Sequence, residues 1–463
     1  MPTAPKIQTE RRLSRRDFIR QVGVPIAGGL AALAVAPALA APAATNAATR
    51  MAAPALQPAT RPLTPTFYQW IVNLHPSLPQ VNDAFKATAP LNFQIAPVQG
   101  FGIDRFVAEA RDKNSTWDVY VGMTPFVEMS SLIAADVIEP WDNYIPKDVL
   151  DDLIPSIRNE CTVNGQLYSW PFLLDIIIMG WNGGQASQAG VTSMPATWDD
   201  LLSASQQVMS TNTAPYGVVF DAHGWRSLAP ITHSISTSAY TPDGFFDFNS
   251  DPALQALEIM KQMKALSAPN VLNPGTSDAG VNDTPDESAF AAQQATYFVK
   301  YQNAPLRFAA TWPDPSQLQL GPLPKPQDGE GATVFWTTGA CLFKYGQNKD
   351  KAAEYMRALT YNEGIWKDSI SGSPTSHPGQ MPPYLSIHAN WAASPPDWMQ
   401  PWVPLVFDQL KVARAIPNQK FGLTQFNIGQ PYWEKYLKGE ESNPRVAMQA
   451  AFDAVQAEAN KSA

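Results

Sequence analysis

The chain has 463 residues, of which 45% are hydrophobic, 11% aromatic and 16% charged. At roughly 100–200 residues per domain this length predicts two or three domains, and the apolar content excludes a disordered tail or a coiled coil. The net charge of −9 excludes nucleic acid and anionic membrane surfaces as partners, because both attract basic patches.

The first forty residues have the outline of an export signal. Basic residues precede an uncharged run from 22 to 40, and the segment 14–20 (SRRDFIR) resembles the twin-arginine signal. Glycines and prolines make the run a poor membrane-spanning helix, although an uncleaved anchor is the alternative. We expect export to the periplasm, cleavage at Ala40 or a few residues later, and a mature chain of net charge −13.

Strand-like and helix-like segments alternate after a linker at 41–65 that is rich in Ala, Pro and Thr. The predicted strands cover 66–72, 93–98 and 117–122, and the predicted helices cover 81–89, 106–111 and 126–135. Such alternation predicts an α/β architecture with a largely parallel sheet.

Six motifs appear in the order typical of one protein family. They are WDVYVGMTPFVEMSSLIAADVIEPWDNYI (117–145), VNGQLYSWPF (163–172), MPATWDDLL (194–202), AFAAQQATY (289–297), LGPLP (320–324) and NKDKAAEY (348–355). Together they resemble family 1 extracellular solute-binding proteins of ABC importers, of the maltose-binding-protein-like, carbohydrate type. The resemblance covers residues 66 to 455.

The resemblance implies two α/β lobes, each discontinuous in sequence, joined by hinge strands around a ligand cleft. The crossings then fall near 173–175, near 320–321 and within 372–383. The first lobe comprises 66–174 plus 321–375, and the second comprises 175–320 plus 376–463.

Catalytic and metal-binding motifs are missing from the sequence. It contains no Gly-x-Ser-x-Gly elbow, His-Glu-x-x-His or phosphate loop, and its five histidines, which we expect in loops or the cleft, lack metal-ligand spacing. We therefore expect no enzyme activity, no cofactor and no metal. Cys161 and Cys341 are predicted to be buried free thiols in the first lobe, with a disulfide as the alternative.

Several tryptophans stand in loops or at strand ends beside polar residues or glycine. They are Trp70, Trp181, Trp225, Trp312, Trp336 and Trp366. A sugar needs flat aromatic groups for its C–H faces and planar polar groups for its hydroxyls, and the segment 221–226 (DAHGWR) supplies both kinds. Core packing is the alternative for each of these tryptophans.

The register of the resemblance proposes eight residues for the cleft. They are Trp70, Asn73, Thr124, Asp175, Trp225, Tyr301, Trp336 and Ser373. We expect Trp225 to be an open cleft residue whose truncation leaves no core cavity.

The resemblance implies a monomeric solute-binding protein that captures a carbohydrate or polyol and delivers it to the permease subunits of an ABC importer. A non-sugar solute such as a glycerol phosphate, a peptide or ferric ion is the alternative, although few loop arginines are present for a phosphate. An exported glycan-active enzyme is a second alternative. A structural surface protein would show repeats, and none is evident.

Overall fold

The computed structural model describes residues 61–98, 103–273, 284–372, 378–418 and 421–461. The predicted export signal, the predicted linker up to residue 60 and Ser373 lie outside the described residues. At the end of the linker, Leu63 and Thr64 are already buried, and the first strand begins at Pro65.

The strands form one large sheet and one small hairpin. In chain order they are β1 (Pro65–Phe67), β2 (Gln94–Ile95), β3 (Val119–Met123), β4 (Ile138–Glu139), β5 (Thr162–Val163), β6 (Gln166–Leu167), β7 (Trp170–Asn182), β8 (Tyr216–Phe220), β9 (Ala295–Tyr301), β10 (Leu318–Gly321), β11 (Val334–Phe343) and β12 (Arg414–Ala415). Strands β5 and β6 make the hairpin.

Helices cover the sheet and build the outer layers. They are α1 (Gln69–Leu74), α2 (Leu78–Lys86), α3 (Asp104–Arg111), α4 (Ser130–Ala134), α5 (Lys147–Asp152), α6 (Pro155–Glu160), α7 (Gly183–Gln188), α8 (Trp198–Ser210), α9 (Leu228–Ile235), α10 (Asp251–Ala265), α11 (Pro285–Ala291), α12 (Asn303–Ala309), α13 (Lys349–Thr360), α14 (Glu363–Ser371), α15 (Leu385–Ala393), α16 (Trp402–Leu410), α17 (Gly422–Lys438) and α18 (Pro444–Lys461). A π-helical turn at Pro125–Met129 precedes α4.

The predicted strand at 66–72 is wrong in its second half. Only Pro65–Phe67 is extended, and α1 follows at once. Its buried residues are Ile71 and Leu74, three positions apart, which is the spacing of a helix face rather than of a strand. The other predicted strands and helices are found with shifted ends, the helix at 126–135 being split between the π-helical turn and α4.

The large sheet joins two parallel parts through long antiparallel strands. Its central order is β2-β1-β3-β11-β7-β9-β8. Strands β1, β2 and β3 are mutually parallel, as are β8 and β9, whereas β11 and β7 run antiparallel to each other and to their outer neighbours. The parallel arrangement expected from the sequence is therefore found within each part of the sheet.

Strand β7 crosses from one part of the sheet to the other. Residues from Trp170 to Ile176 pair with β11, and residues from Ile177 onward pair with β9 and β10. All but one of its thirteen residues are buried. One continuous strand thus spans the junction that the sequence places near Asp175.

Two large hydrophobic cores flank this junction and define the lobes used below. The first-lobe core includes Phe67, Val121, Trp170, Leu173, Tyr355, Tyr384, Val403 and Ala413. The second-lobe core includes Trp198, Val218, Leu257, Phe298, Phe308, Phe426, Trp433 and Met448. A smaller core around Phe106, Trp117 and Tyr120 fills the other side of β3.

The last boundary between the lobes lies later in the chain than the sequence predicted. Residues 381–413 contribute Met381, Tyr384 and Ala413 to the first-lobe core, although the sequence assigned them to the second lobe. The cause is a return onto β7, because Met381 bridges to Leu174 and the Tyr384 hydroxyl donates to a β7 carbonyl. After these residues, the chain returns to the second-lobe core at residue 416.

Cys161 and Cys341 are both buried and unbridged, in cores of the first lobe, as favoured from sequence. In the described part of the chain, no helix combines the length and the apolar character needed to cross a membrane.

Candidate functional site

Residues proposed from the sequence follow the carboxyl ends of strands in both lobes. Strand β3 ends at Met123 and Thr124 follows it. Strand β8 ends at Phe220 and leads into the loop that carries Trp225, while Tyr301 is the last residue of β9. Carboxyl ends of parallel strands are where α/β sheets place their ligands. In this protein the carboxyl ends of the parallel strands of both lobes approach the middle of β7 and β11.

Asp175, Trp336 and Tyr301 lie on one face of the sheet at this junction, called the site face below. Trp336 on β11 is the cross-strand partner of Asp175 on β7, and Tyr301 on β9 is the partner of Ile177. Cross-strand partners share a face, and so do residues two positions apart on one strand. The rings of Trp336 and Tyr301 are 5.9 Å apart and nearly perpendicular.

Trp225 joins the site face from the second-lobe loop. Its ring centroid lies 5.0 Å from that of Trp336 and 5.3 Å from that of Phe126. The side chain is only 4% exposed, so the expectation of an open cleft residue is wrong. The physical reason is that the rings of Trp336 and Phe126 pack against the indole. Phe126, Trp225, Tyr301 and Trp336 are called the aromatic cluster below.

Phe126 reaches this cluster from the first lobe. It lies in the π-helical turn after β3, yet it is counted in the second-lobe core and is 2% exposed. Its carbonyl oxygen lies so close to Gly422, the first residue of α17, that a Cβ at that position would clash with it. The lobes therefore touch at this point. The sequence placed Phe126 in a helix and missed its role.

Asp175 is a hydrogen-bonding node between segments from both lobes. Asn303 Nδ2, at the start of α12, donates to Asp175 Oδ1 at 3.0 Å, and Gln380 Nε2 lies 3.0 Å from both carboxylate oxygens. Burial raises the pKa of Asp175 to about 6, and the hydrogen bonds and nearby arginine charges oppose that rise. The sequence proposed Asp175 but neither amide, because both come from segments distant along the chain.

A buried charge cluster lies behind the aromatic residues. Lys300 is wholly buried, and its Nζ lies 2.5 Å from Asp221, 2.7 Å from Asp286 and 3.2 Å from Glu287. Burial opposes the charge of Lys300, but the three carboxylates raise its pKa. The hydroxyl of Tyr301 also donates to Glu287 at 3.3 Å. The cluster thus holds the last residue of β9 in place.

The loop from 221 to 226 is organised by Asp221. His223 bonds to this carboxylate through both its backbone N–H and its Nδ1, at 2.8 and 2.6 Å. The guanidinium of Arg226 lies 3.5 Å from Asp221 Oδ2 and stacks 4.1 Å from the Trp225 ring centroid. The polar and aromatic groups that the sequence proposed in this loop do come together. The carboxylate of Asp221, however, is already bound by His223 and Arg226 of the protein.

The remaining proposed residues have other partners, except for Ser373, which lies outside the described residues. Thr124 is buried, and its backbone N–H donates to Glu128. Trp70 is half-buried, with its ring edge-on to Tyr68 at 6.5 Å. Asn73 is exposed and bonds to Gln69 on its own helix. Among the described residues, no hydrogen bond connects Asn73 with Asp175.

Three histidines are buried: His75 lies in the loop after α1, as expected, whereas His233 and His388 lie in helices α9 and α15 instead of in loops or the cleft. His75, His233 and His388 are 6% exposed or less, and burial lowers the pKa of each to about 4. Each bonds to backbone carbonyls or hydroxyls. Within the described ranges, no group of three His, Cys, Asp or Glu side chains is arranged to hold a metal ion.

Comparison with known families agrees with this architecture. Residues 99–365 match the sequence profile of the bacterial extracellular solute-binding protein family. The chain belongs to this family. The matched part includes the site face, the loop around Trp225 and the charge cluster.

Relatives of known or assigned function are distant in sequence. A probable ABC transporter-binding protein of Deinococcus radiodurans is 24% identical over 229 residues, which are 47% of this chain and 52% of the relative. The maltotriose-binding protein of Pyrococcus abyssi is 25% identical, covering 50% of this chain and 49% of its own. The mannitol-binding protein of Pseudomonas aeruginosa is 22% identical, and the match covers 54% of this chain and 66% of that relative. The chain thus spans about half the length of the first of these relatives.

Solved structures of sugar-binding proteins share the fold. The sugar-binding protein MalE of Xanthomonas citri superposes with a TM-score of 0.70 at 17% identity, covering 86% of this chain and 98% of the other. The GacH receptor of Streptomyces glaucescens, solved unliganded and with acarbose, superposes with a TM-score of 0.68 at 16% identity. The superposition covers 85% of this chain and 97% of the receptor. Both confirm the two-lobed fold expected from the sequence.

Proposed function

We propose that this protein binds a carbohydrate or polyol at the junction of its lobes and delivers it to the permease subunits of an ABC importer. One observation carries the proposal. The aromatic rings of Trp225, Trp336 and Tyr301 meet the planar polar groups of Asp175 and Arg226 at the junction of the lobes. A polyhydroxylated solute needs this combination, because rings pack against C–H groups and planar groups bind hydroxyl pairs.

The relatives support the same solute class. Two of them are named for maltotriose and mannitol, a sugar and a polyol. The family consists of extracellular solute-binding proteins, which agrees with the export signal at residues 14–20. We propose that the chain is exported by the twin-arginine route, acts as a monomer in the periplasm and catalyses no reaction.

Hinge bending between the lobes is the proposed mechanism. Strand β7 crosses the junction and β11 reaches it at Trp336, and bending these strands changes the distance between Phe126 and the second-lobe loop. A solute that contacts both lobes stabilises the closed arrangement, so binding shifts the equilibrium toward it. The permease then recognises the closed form.

A panel of candidate solutes tests this function on the purified mature protein. Thermal shift identifies binders among mono- and oligosaccharides, polyols, glycerol phosphates, peptides and ferric ion, and titration calorimetry measures their affinity. We expect a sugar or polyol to bind. Stabilisation by a phosphate, a peptide or iron alone would favour the alternative solute classes.

A matched pair of variants locates the site. Asp175→Asn keeps the side-chain volume but removes the charge and replaces one acceptor oxygen at the junction by an amide donor, so we expect it to weaken binding about tenfold or more. Asp152→Asn makes the same change at the end of α5, where the carboxylate accepts from Tyr361 and Ser386. Equal losses in both variants would argue against a site at Asp175.

A further inference from the structure

Two arginines stand beside the site face. The guanidinium of Arg226 lies 4.1 Å from the ring centroid of Trp225 and 4.8 Å from that of Tyr301. Arg307 is on α12, one turn beyond Asn303, which bonds to Asp175. Burial raises the pKa of Asp175, and the charges of both arginines act against that rise, so both lie within electrostatic range of the carboxylate. Arginines so placed are the usual means of binding a carboxylate or phosphate.

Each arginine already faces a buried carboxylate of the protein. Arg226 Nη1 lies 3.5 Å from Asp221 Oδ2, and Arg307 Nη2 lies 3.5 Å from Glu287 Oε1. Both carboxylates are 1% exposed, and both also contact Lys300. Neither arginine therefore presents an uncompensated charge to a solute.

The region as a whole carries no excess positive charge. Asp175, Asp221, Asp286 and Glu287 carry four negative charges, and Lys300, Arg226 and Arg307 carry three positive ones. A solute anion brought to the site face would add a further negative charge to a region already occupied by buried carboxylates. Burying such a charge without a cation of its own is strongly unfavourable.

We infer that the site accepts neutral solutes and rejects anionic ones because Asp221 and Glu287 neutralise Arg226 and Arg307. The inference rests on the proposed function and adds the charge of the solute to it. Arg307 Nε is buried without a hydrogen-bond partner among the described residues. It is a donor suited to a neutral hydroxyl oxygen.

Glu287 is the specificity-determining residue that can be tested. Asp221 also binds His223 and orders the loop of Trp225, so replacing it would disturb the site itself. Glu287 contacts Arg307, Lys300 and the hydroxyl of Tyr301. Glu287→Gln keeps the length and an acceptor oxygen for these donors but removes the charge that compensates Arg307.

The experiment compares neutral solutes with their acids on the same carbon skeleton. Mannitol is paired with mannonate and maltose with maltobionate, and calorimetry measures each on the mature wild-type protein and on Glu287→Gln. Of the pair that the wild type binds, we expect the neutral member to bind at least about tenfold more tightly than the acid. In Glu287→Gln we expect the affinity for the acid, relative to that for its neutral partner, to rise about tenfold or more.

Asp286→Asn is the control, because it removes the same charge from the same cluster. The carboxylate of Asp286 bonds to Lys300 at 2.7 Å, and both arginines keep their partners when it is replaced. We expect no gain for the acid. An equal gain in Asp286→Asn and Glu287→Gln would overturn the inference, because overall charge and not arginine pairing would then decide.

The wild-type protein decides the question even where a variant does not fold. Wild-type binding of an acid within about threefold of its neutral partner would overturn the inference while leaving solute binding intact. Binding of neither member of any pair would count against the proposed function and would overturn the inference with it. Melting temperatures without solute identify any variant that is unfolded.

Discussion

Asp175 and Trp336 are direct cross-strand partners at the point where β7 passes from the first lobe to the second. The carboxylate receives amide donors from both sides of the junction, and the indole packs against aromatic rings from both lobes. One pair of residues thus combines a polar and an aromatic surface where hinge bending must occur. Its properties can be tested separately from any solute.

The buried carboxylate of Asp175 should make stability depend on pH in a defined window. Its pKa is raised from 3.8 to about 6 by burial, so folding favours the protonated form. The contribution is therefore fully present below about pH 4 and is lost as the pH rises through about 6, amounting to about 3 kcal/mol. Urea unfolding from pH 3.5 to 7 measures it as the difference between wild type and Asp175→Asn. A difference that stays constant over this range would contradict the prediction.

Replacing Trp225 should damage folding as well as binding. The side chain is 4% exposed and contacts Phe126 and Trp336, so Trp225→Ala leaves a cavity and should lower the free energy of unfolding by about 3–5 kcal/mol. Denaturant unfolding without solute measures the loss. Trp391→Ala, at a half-buried position on α15 in the first lobe, should cost less and leave affinity unchanged. A Trp225→Ala protein of normal stability would show that the indole is not packed as described.

Phe126 should favour the closed arrangement of the lobes. It is a first-lobe residue buried among second-lobe side chains, so Phe126→Ala removes apolar contact that exists only when the lobes touch. At a saturating concentration of a confirmed solute we expect a larger radius of gyration by small-angle scattering and a weaker affinity. Phe452→Ala, half-buried on α18 against the second-lobe core, is the control and should leave both unchanged. Scattering curves that superpose for all three proteins would argue against this role.

Export should depend on the arginine pair in the signal. In the proposed twin-arginine route Arg15 and Arg16 are recognised together, and the run from 22 to 40 is weakly apolar for the general pathway. Arg15→Lys combined with Arg16→Lys should leave the precursor in the cytoplasm, as shown by fractionation and immunoblotting. Lys6→Arg is a control outside the motif and should export normally. Mature protein at normal periplasmic level in the double variant would disprove the twin-arginine route.

The sequence by itself determined the family, the α/β class and the region of the first lobe crossing. These features depend on local patterns, namely the order of six motifs and the alternation of apolar segments, and such patterns are readable along one chain. Asp175, Tyr301 and Trp336 could be proposed because each lies on a strand near the junction.

Only the tertiary structure decided what surrounds these residues. Whether Trp225 lies open or buried depends on Phe126, which is about one hundred residues away along the chain and belongs to the other lobe. The pairing of Glu287 with Arg307 depends on how α11 packs beside α12, and the lobe that holds 381–413 depends on Met381 returning to β7. The physical reason is that burial and charge compensation are properties of surfaces that meet in space, and residues distant in sequence supply the second surface.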